Sequence, residues 1–175
     1  SHKIQGPKGA GAVYVDKTLH LPPVMYGGGQ EKNMRSGTEN VPMILGFGAA
    51  CEAAGEHLPE KLRTMEQRKQ QCLTLLAEEV PQAVILGSHQ APHILSLAIP
   101  GVRSQGLIGY LQEQGVYVSA GSACSRGHRS HVLEAMGLDP RLIDGSIRVS
   151  TCFDTTEADI SGFVAALKEA VHGLT

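Results

Sequence analysis

The stretch HILSLAIPGVRSQGLIGYLQEQGVYVS, residues 93–119, indicates the type of fold, because strand-like and helix-like segments alternate within it. Runs of apolar and β-branched residues predict strands over 93–100 and 116–119. Residues 104–115, between them, have the apolar spacing of a helix, and Gly115 is typical of a helix end. Strands that alternate with helices predict an α/β architecture.

The strands on either side of this stretch extend the same alternation. Short runs rich in β-branched and aromatic residues predict further strands at 12–15, 84–88 and 146–150. A short helix is predicted over 130–137, just before the last of these strands.

Two longer segments have the pattern of surface helices with one apolar face. The helix predicted after Pro59 repeats Leu62, Met65, Leu73, Leu76 and Val80 at helical spacing among charged and amide residues. The last helix opens at Thr155 or Thr156, and its apolar face carries Ile160, Phe163, Val164, Leu167 and Val171.

The first 57 residues have a different character from the rest. A helix that begins near Pro42, with Thr38 or Asn40 as its cap, is apolar on nearly all sides, so we expect it to be buried. We place a domain boundary there, between 1–57 and 58–175. The second part can close its own core, whereas the first supplies only about one strand beside its helix.

Composition excludes several classes of protein. With 175 residues, 42% of them hydrophobic and a net charge of −2, the chain is suited to one domain or slightly more and is not a general nucleic-acid binder. It has no apolar run of membrane-spanning length. Its four cysteines lack zinc-site spacing and a disulfide framework, which indicates no metal site and a reducing, cytoplasmic compartment. We expect three of them, Cys51, Cys72 and Cys152, to be packing residues.

Three features of the sequence suggest groups that bind or react with a ligand. Lys3 follows His2 and precedes a turn of glycines and proline, so it is either a Schiff-base lysine or an ordinary exposed one. The segment RSGTEN, Arg35 to Asn40, is either an anion site at a helix start or a simple helix cap. Arg148 within a strand is either an inward clamp for a carboxylate or an outward arginine paired with an acid.

The segment SAGSACSRGHRS, residues 119–130, places Cys124 among small and basic residues with little to pack around it. Arg126, His128 and Arg129 would favour the thiolate, which is the reactive form of cysteine. The alternative is a bystander cysteine in an exposed loop.

Taken in order, five motifs resemble those of the cysteine desulfurases, class V aminotransferases that use pyridoxal phosphate (PLP) and share the aspartate-aminotransferase type of fold. The motifs are SHKIQGPKGAGAVYV, GGGQEKNMRSGTENVPMILGFGAA, PHILSLAIPG, SAGSACSRGHRSHVLEAMGL and SIRVS. The resemblance extends over essentially all of the chain. It implies removal of sulfur from L-cysteine, giving L-alanine and an enzyme persulfide.

The resemblance also implies roles for individual residues. Lys3 matches the lysine that carries PLP, and His2 matches a contact to the cofactor phosphate. Thr38 matches a threonine that reaches the phosphate in the neighbouring subunit, which implies a homodimer. Arg148 matches the arginine that binds the substrate carboxylate, and Cys124 matches the nucleophile that accepts sulfur. The persulfide would pass to an acceptor protein, an iron–sulfur scaffold or a tRNA-thiolation enzyme.

The family pattern includes a long N-terminal portion that these residues do not match. The resemblance therefore predicts the C-terminal part of such an enzyme, with 1–57 a fragment of the large PLP-binding domain and 58–175 the small domain with the cysteine loop. We expect this chain to be inactive by itself. Alternatives are a selenocysteine lyase or other class V PLP enzyme, or a catalytically silent interaction fragment.

Overall fold

The computed structural model describes residues 1–87, 91–120 and 129–174. The chain divides into two compact units, Ser1–Leu58 and Pro59–Thr175, and each is described by itself. The division lies within one residue of the boundary predicted from the sequence. No helix among the described residues is long and apolar enough to cross a membrane.

The first unit is built around one helix. Helix α1 (Val41–Gly55) begins at Asn40, whose side-chain oxygen accepts a hydrogen bond from the Met43 backbone nitrogen at 3.4 Å, and Pro42 occupies its first turn. This confirms the helix and one of its two predicted caps. Two short 3₁₀ turns precede it, at His2–Ile4 and Gln30–Asn33.

Two predictions for the first unit are wrong. Residues 12–15 form no strand, and Val13 and Tyr14 are 84% and 90% exposed. A strand needs a paired neighbour for its backbone groups, and no described residue of this unit pairs with that segment. Helix α1 has no buried residue, and Ile44 and Leu45 are exposed, because the unit contains no sheet to cover an apolar helix.

The second unit is a four-stranded sheet packed against helices, which confirms the α/β class. The strands are β1 (Val84–Leu86), β2 (Ile94–Ala98), β3 (Ser119–Ala120) and β4 (Ser146–Ser150). Their order is β1-β2-β4-β3, and every neighbouring pair is antiparallel. Strand β3 is shorter than predicted and begins where the predicted strand 116–119 ends.

The main core lies on one face of this sheet. Alternate residues of β2 and β4 point into it and meet three helices, α2 (Leu58–Glu79), α3 (Ser104–Glu113) and α6 (Glu157–Leu174). The predicted apolar face of the last helix is confirmed, since Ile160, Phe163, Val164, Leu167 and Val171 are all buried. Gly115, with φ of 77°, follows α3 as expected of a helix end.

A smaller apolar cluster lies on the other face. Leu86 and Ala98 of the sheet pack there with Leu133 and Ile143, which belong to α4 (His131–Ala135) and α5 (Pro140–Asp144). Helix α5 was not predicted from the sequence. Its start has a recognisable signal nonetheless, because the Asp139 carboxylate accepts a 2.7 Å hydrogen bond from the Arg141 nitrogen and a proline follows the cap.

The cysteines only partly follow the prediction that they pack in the interior. Cys72 is buried, and burial raises the pKa of its thiol to about 12. Cys51 and Cys152 are exposed, so the packing prediction is wrong for both. Cys51 lies on α1, which has no buried face, and Cys152 lies in the turn that follows β4.

Candidate active site

Lys3 lies in a compact turn, residues 1–10, which is held by hydrogen bonds to Ser1. The Ser1 nitrogen donates to the Ala10 carbonyl at 2.8 Å, the Ser1 hydroxyl donates to the Pro7 carbonyl, and the Gly6 nitrogen donates to the Ser1 carbonyl at 3.1 Å. A side chain at Gly6 would collide with Ser1, since an added Cβ would lie 2.8 Å from the Ser1 Cβ. The glycine and proline of the motif therefore fold a turn that presents Lys3 at the surface.

The functional groups of this turn are accessible. His2 and Lys3 are both exposed, and the Lys3 amine has no hydrogen bond or ion pair to any other residue in the described ranges. An amine in this setting is open to a carbonyl compound. The structure brings these two predicted site residues together because they are neighbours on one short 3₁₀ turn.

The turn lies against the middle of α1. A Cβ added at Gly46 would lie 3.0 Å from the Pro7 Cγ, and one added at Gly6 would lie 3.1 Å from the Ala50 Cβ. Gly46 and Ala50 follow the Asn40 cap by six and ten residues, which is about 9 and 15 Å along a helix axis. Thr38 lies before that cap, so the turn contacts α1 at a distance from Thr38.

The segment Arg35–Asn40 is held by internal hydrogen bonds. The Ser36 hydroxyl donates to the Gly28 carbonyl at 2.8 Å, and the Gly37 nitrogen donates to the Gln30 side-chain oxygen at 3.3 Å. Gly37 has φ of +119°, which favours glycine. Thr38 is exposed, and its hydroxyl has no partner within the ranges the structure describes. The hydroxyl of Ser36 is therefore used in holding the segment together, whereas that of Thr38 is not.

Arg148 lies in the middle of β4 on the face opposite the main core. Its neighbours along the strand, Ile147 and Val149, are buried in that core, whereas Arg148 is half-buried. Its Nε is buried without a hydrogen-bond partner, and no described acid forms an ion pair with it. Neither of the two sequence interpretations fully describes Arg148, since it is partly enclosed and forms no ion pair with any residue that the structure describes.

Cys124 lies outside the described residues, as do Arg126 and His128. The residues that flank this segment are described. Ala120 pairs with Ile147 in the sheet, next to Arg148. Arg129 makes two hydrogen bonds to the Asp144 carboxylate, at 2.7 and 2.8 Å.

This ion pair changes the expected role of Arg129. The Arg129 guanidinium lowers the pKa of Asp144, and the carboxylate raises the pKa of Arg129. The positive charge of Arg129 is therefore matched by the Asp144 carboxylate, a pairing that was not predicted from the sequence. Asp144 was missed because the residues are fifteen apart in sequence and only the fold brings them together.

The structure thus presents the predicted site residues in two groups. His2, Lys3 and Thr38 belong to the first unit, and Arg148 belongs to the second.

Comparison with known sequences gives a consistent result. The family described as Aminotransferase class-V matches residues 1–163. The cysteine desulfurase of Nostoc sp. is 35% identical over 177 residues, which cover 99% of this chain and 44% of the relative. The putative cysteine desulfurase IscS 1 of Bacillus subtilis is 36% identical and is covered over 47% of its length. The chain therefore spans less than half the length of these curated relatives.

Solved structures agree on the fold. A NifS-like protein superimposes with a TM-score of 0.84 at 36% identity, with coverage of 99% of this chain and 45% of that one. A NifS-like protein from Rickettsia africae gives a TM-score of 0.77 at 29% identity, over 89% of this chain and 41% of that one. The family match, which extends over most of the chain, is the decisive finding: this chain belongs to the class V aminotransferase family.

Proposed function

We propose that this chain is part of a PLP-dependent cysteine desulfurase, which removes sulfur from L-cysteine and leaves L-alanine and a protein persulfide. The observation that carries the proposal is identity of about a third to relatives named cysteine desulfurase, sustained over 99% of the chain. The two units correspond in this proposal to part of the large PLP-binding domain and to the small domain with the cysteine segment.

The residues of the first unit are suited to PLP. The accessible Lys3 amine would hold the cofactor covalently through its aldehyde, and His2 would contact its phosphate. The Thr38 hydroxyl would contact the phosphate of the cofactor held by the other copy of the chain. When bound, PLP supplies an electron sink for the substrate. A lysine already engaged in an ion pair would not suit this role, and Lys3 has none within the described ranges.

Arg148 would bind the substrate carboxylate. Its guanidinium is half-buried and has no acid partner among the described residues, so a carboxylate ligand would satisfy it. Arginine presents donors in a fixed fork that matches a carboxylate, and such charge-assisted pairs are among the stronger hydrogen bonds. Binding there would orient the amino acid by its carboxylate end.

Two side chains would perform the proton and sulfur transfers. The Lys3 amine takes the proton from the substrate α-carbon, as a general base. The Cys124 thiolate attacks the substrate sulfur, so that a sulfur–sulfur bond forms as the carbon–sulfur bond breaks. The electron pair of the broken bond stays with the β-carbon, which takes up a proton. The Lys3 ammonium would then return a proton to the α-carbon, which completes alanine. The segment with Cys124 starts beside Ile147 and Arg148, which supports a thiol that reaches the bound amino acid.

The proposed enzyme contains two copies of the chain. The Lys3 turn contacts α1 at Gly46 and Ala50, whereas Thr38 precedes the start of the same helix. This spacing supports a site in which Thr38 serves the phosphate held by the other copy. The persulfide then passes to an acceptor, an iron–sulfur scaffold or a tRNA-thiolation enzyme. A cytoplasmic location suits this chemistry because it needs a reduced thiol.

The test has two readouts on the gene product that contains this sequence. Borohydride reduction in the presence of PLP, followed by peptide mapping, should find the cofactor on Lys3. Lys8, an exposed lysine of the same turn, is the matched control, and Lys8→Ala should leave the labelling unchanged. With L-cysteine and a thiol reductant, alanine and sulfide should form in equal amounts, and Lys3→Ala should abolish both.

Labelling of Lys8 in place of Lys3 would refute the cofactor assignment. Alanine formation from selenocysteine but not from cysteine would move the protein to the selenocysteine lyases.

A further inference from the structure

Arg148 has a serine on each side of it in the sheet. Strand β2 places Ser96 opposite Arg148, and strand β3 places Ser119 opposite it on the other side. Directly paired residues of antiparallel strands share a face, with Cα atoms about 4.5–5.5 Å apart. The two serines are therefore the closest cross-strand neighbours of the guanidinium-bearing residue.

Ser96, Arg148 and Ser119 form a polar row across three strands, and their side chains lack hydrogen-bond partners among the described residues. Ser96 and Ser119 are half-buried, and within the described ranges neither hydroxyl has a hydrogen-bond partner. The Arg148 Nε is buried and equally without a partner there. By contrast, Ser146 on the same strand donates its hydroxyl to the Ile143 carbonyl at 2.7 Å, so its role is structural. A buried polar group without a partner calls for an explanation, and a bound ligand is one that also accounts for the hydroxyls beside it.

The polar row ends at an apolar residue on the far side of Ser96. Leu86 pairs with Ser96 on its other side and is buried in the small apolar cluster. The polar part of the row therefore consists of one cation between two hydroxyls. Hydroxyls and a guanidinium all donate hydrogen bonds, and a carboxylate oxygen accepts them.

We propose that Ser96 and Ser119 complete the carboxylate site of Arg148, so that an α-amino acid is held by one guanidinium and two flanking hydroxyls. The inference rests on the proposed function, which supplies only the arginine. The serines would fix the plane of the carboxylate, because each can donate to it from one side of the guanidinium fork.

A titration of the 175-residue protein by NMR tests this directly. The Nε–H signal of Arg148, assigned with Arg148→Lys, is followed as L-alanine or acetate is added, and alaninamide, which lacks the carboxylate, is the ligand control. Ser96→Ala and Ser119→Ala are compared with Ser161→Ala, a serine of α6 whose hydroxyl donates to the Glu157 carbonyl. Far-UV circular dichroism checks that each variant is folded.

L-alanine and acetate should shift the Arg148 signal, and alaninamide should not. Each serine-to-alanine change should weaken binding roughly three- to tenfold, the usual effect of one hydrogen bond. Ser96→Thr, which keeps the hydroxyl, should restore most of the affinity, and Ser161→Ala should have no effect.

The outcomes distinguish the role of the two serines from the carboxylate-binding role of Arg148. If the signal shifts with unchanged affinity in both serine variants, Arg148 binds the carboxylate alone, so the role of the serines is wrong and the proposed function stands. If neither carboxylate shifts the signal, the assignment of Arg148 fails and the serine site fails with it.

A kinetic measurement on the gene product provides an independent readout. Ser96→Ala and Ser119→Ala should raise KM for L-cysteine roughly three- to tenfold and leave kcat within about twofold, since they lose ground-state binding. A fall in kcat with unchanged KM would contradict a binding role for either serine.

Discussion

Gly145 is the position at which a single methyl group should disturb the second unit most clearly. A Cβ added there would lie 2.3 Å from the Ile99 carbonyl oxygen and 2.8 Å from the Val102 carbonyl oxygen. Both obstacles are backbone atoms, so no side-chain rotation relieves the clash. The Gly145 carbonyl also accepts a 3.2 Å hydrogen bond from the Ile99 nitrogen, which would shift with it.

The expected cost of Gly145→Ala follows from these contacts. Overpacking of this kind costs about 1–3 kcal/mol, and loss of one backbone hydrogen bond adds about 1 kcal/mol. We therefore expect Gly145→Ala to lower the free energy of unfolding by roughly 2–4 kcal/mol. At about 4 °C per kcal/mol, the midpoint of thermal unfolding should fall by about 8–16 °C.

Gly109 is the matched control for this measurement. It is exposed in α3, and an added Cβ would meet no atom within 4 Å. Alanine is favoured over glycine inside a helix, so Gly109→Ala should stabilise the protein by about 0.5–1 kcal/mol. Urea and thermal unfolding followed by far-UV circular dichroism measure both variants. Equal stability of Gly145→Ala and wild type would refute the packing described around Ile99.

Three further results are expected. Iodoacetamide should label Cys51 and Cys152 at neutral pH but leave Cys72 unlabelled until urea is added. The reason is that Cys72 is buried and the pKa of its thiol is raised to about 12. Labelling of Cys72 before urea is added would contradict its burial. Asp144→Asn should destabilise the protein at neutral pH. The difference in stability from wild type should disappear as the pH falls through the lowered pKa of Asp144, below the unfolded value of about 3.9. A difference that persisted in acid would exclude the ion pair as its cause. Leu97→Ala, at a fully buried position, should cost about 2–5 kcal/mol in urea unfolding, and an effect below 1 kcal/mol would place Leu97 outside the core.

The second unit could be predicted well because its sequence carries local signals. The apolar face of α6 and the strand SIRVS each encode their element within a few residues, and packing then agrees with them. Helix α5 was missed although its Asp139-Pro140 start is a recognised signal, because five residues are too few to show a helical period. The antiparallel strand order is a property of long-range pairing and has no local signature.

The first unit shows where sequence patterns stop being informative. The apolar helix α1 and the strand-like residues 12–15 have the composition of buried elements, yet burial depends on what surrounds them, and the unit has nothing to cover them. The candidate site residues also differ in how far local sequence can indicate them. Lys3 and Arg148 are proposed from sequence motifs, whereas the serines beside Arg148 depend on strand register, which no short motif records.

Mass spectrometry of the gene product after a single turnover with L-cysteine tests the central claim most directly. Cys124 should carry one additional sulfur atom, and Cys124→Ser should remove that product, while Cys152→Ser, at an exposed cysteine of the second unit, should not. Lys3→Ala should prevent the modification altogether. Extra sulfur on Cys51 or Cys152 with Cys124 unmodified, or alanine formation undiminished in Cys124→Ser, would contradict the account.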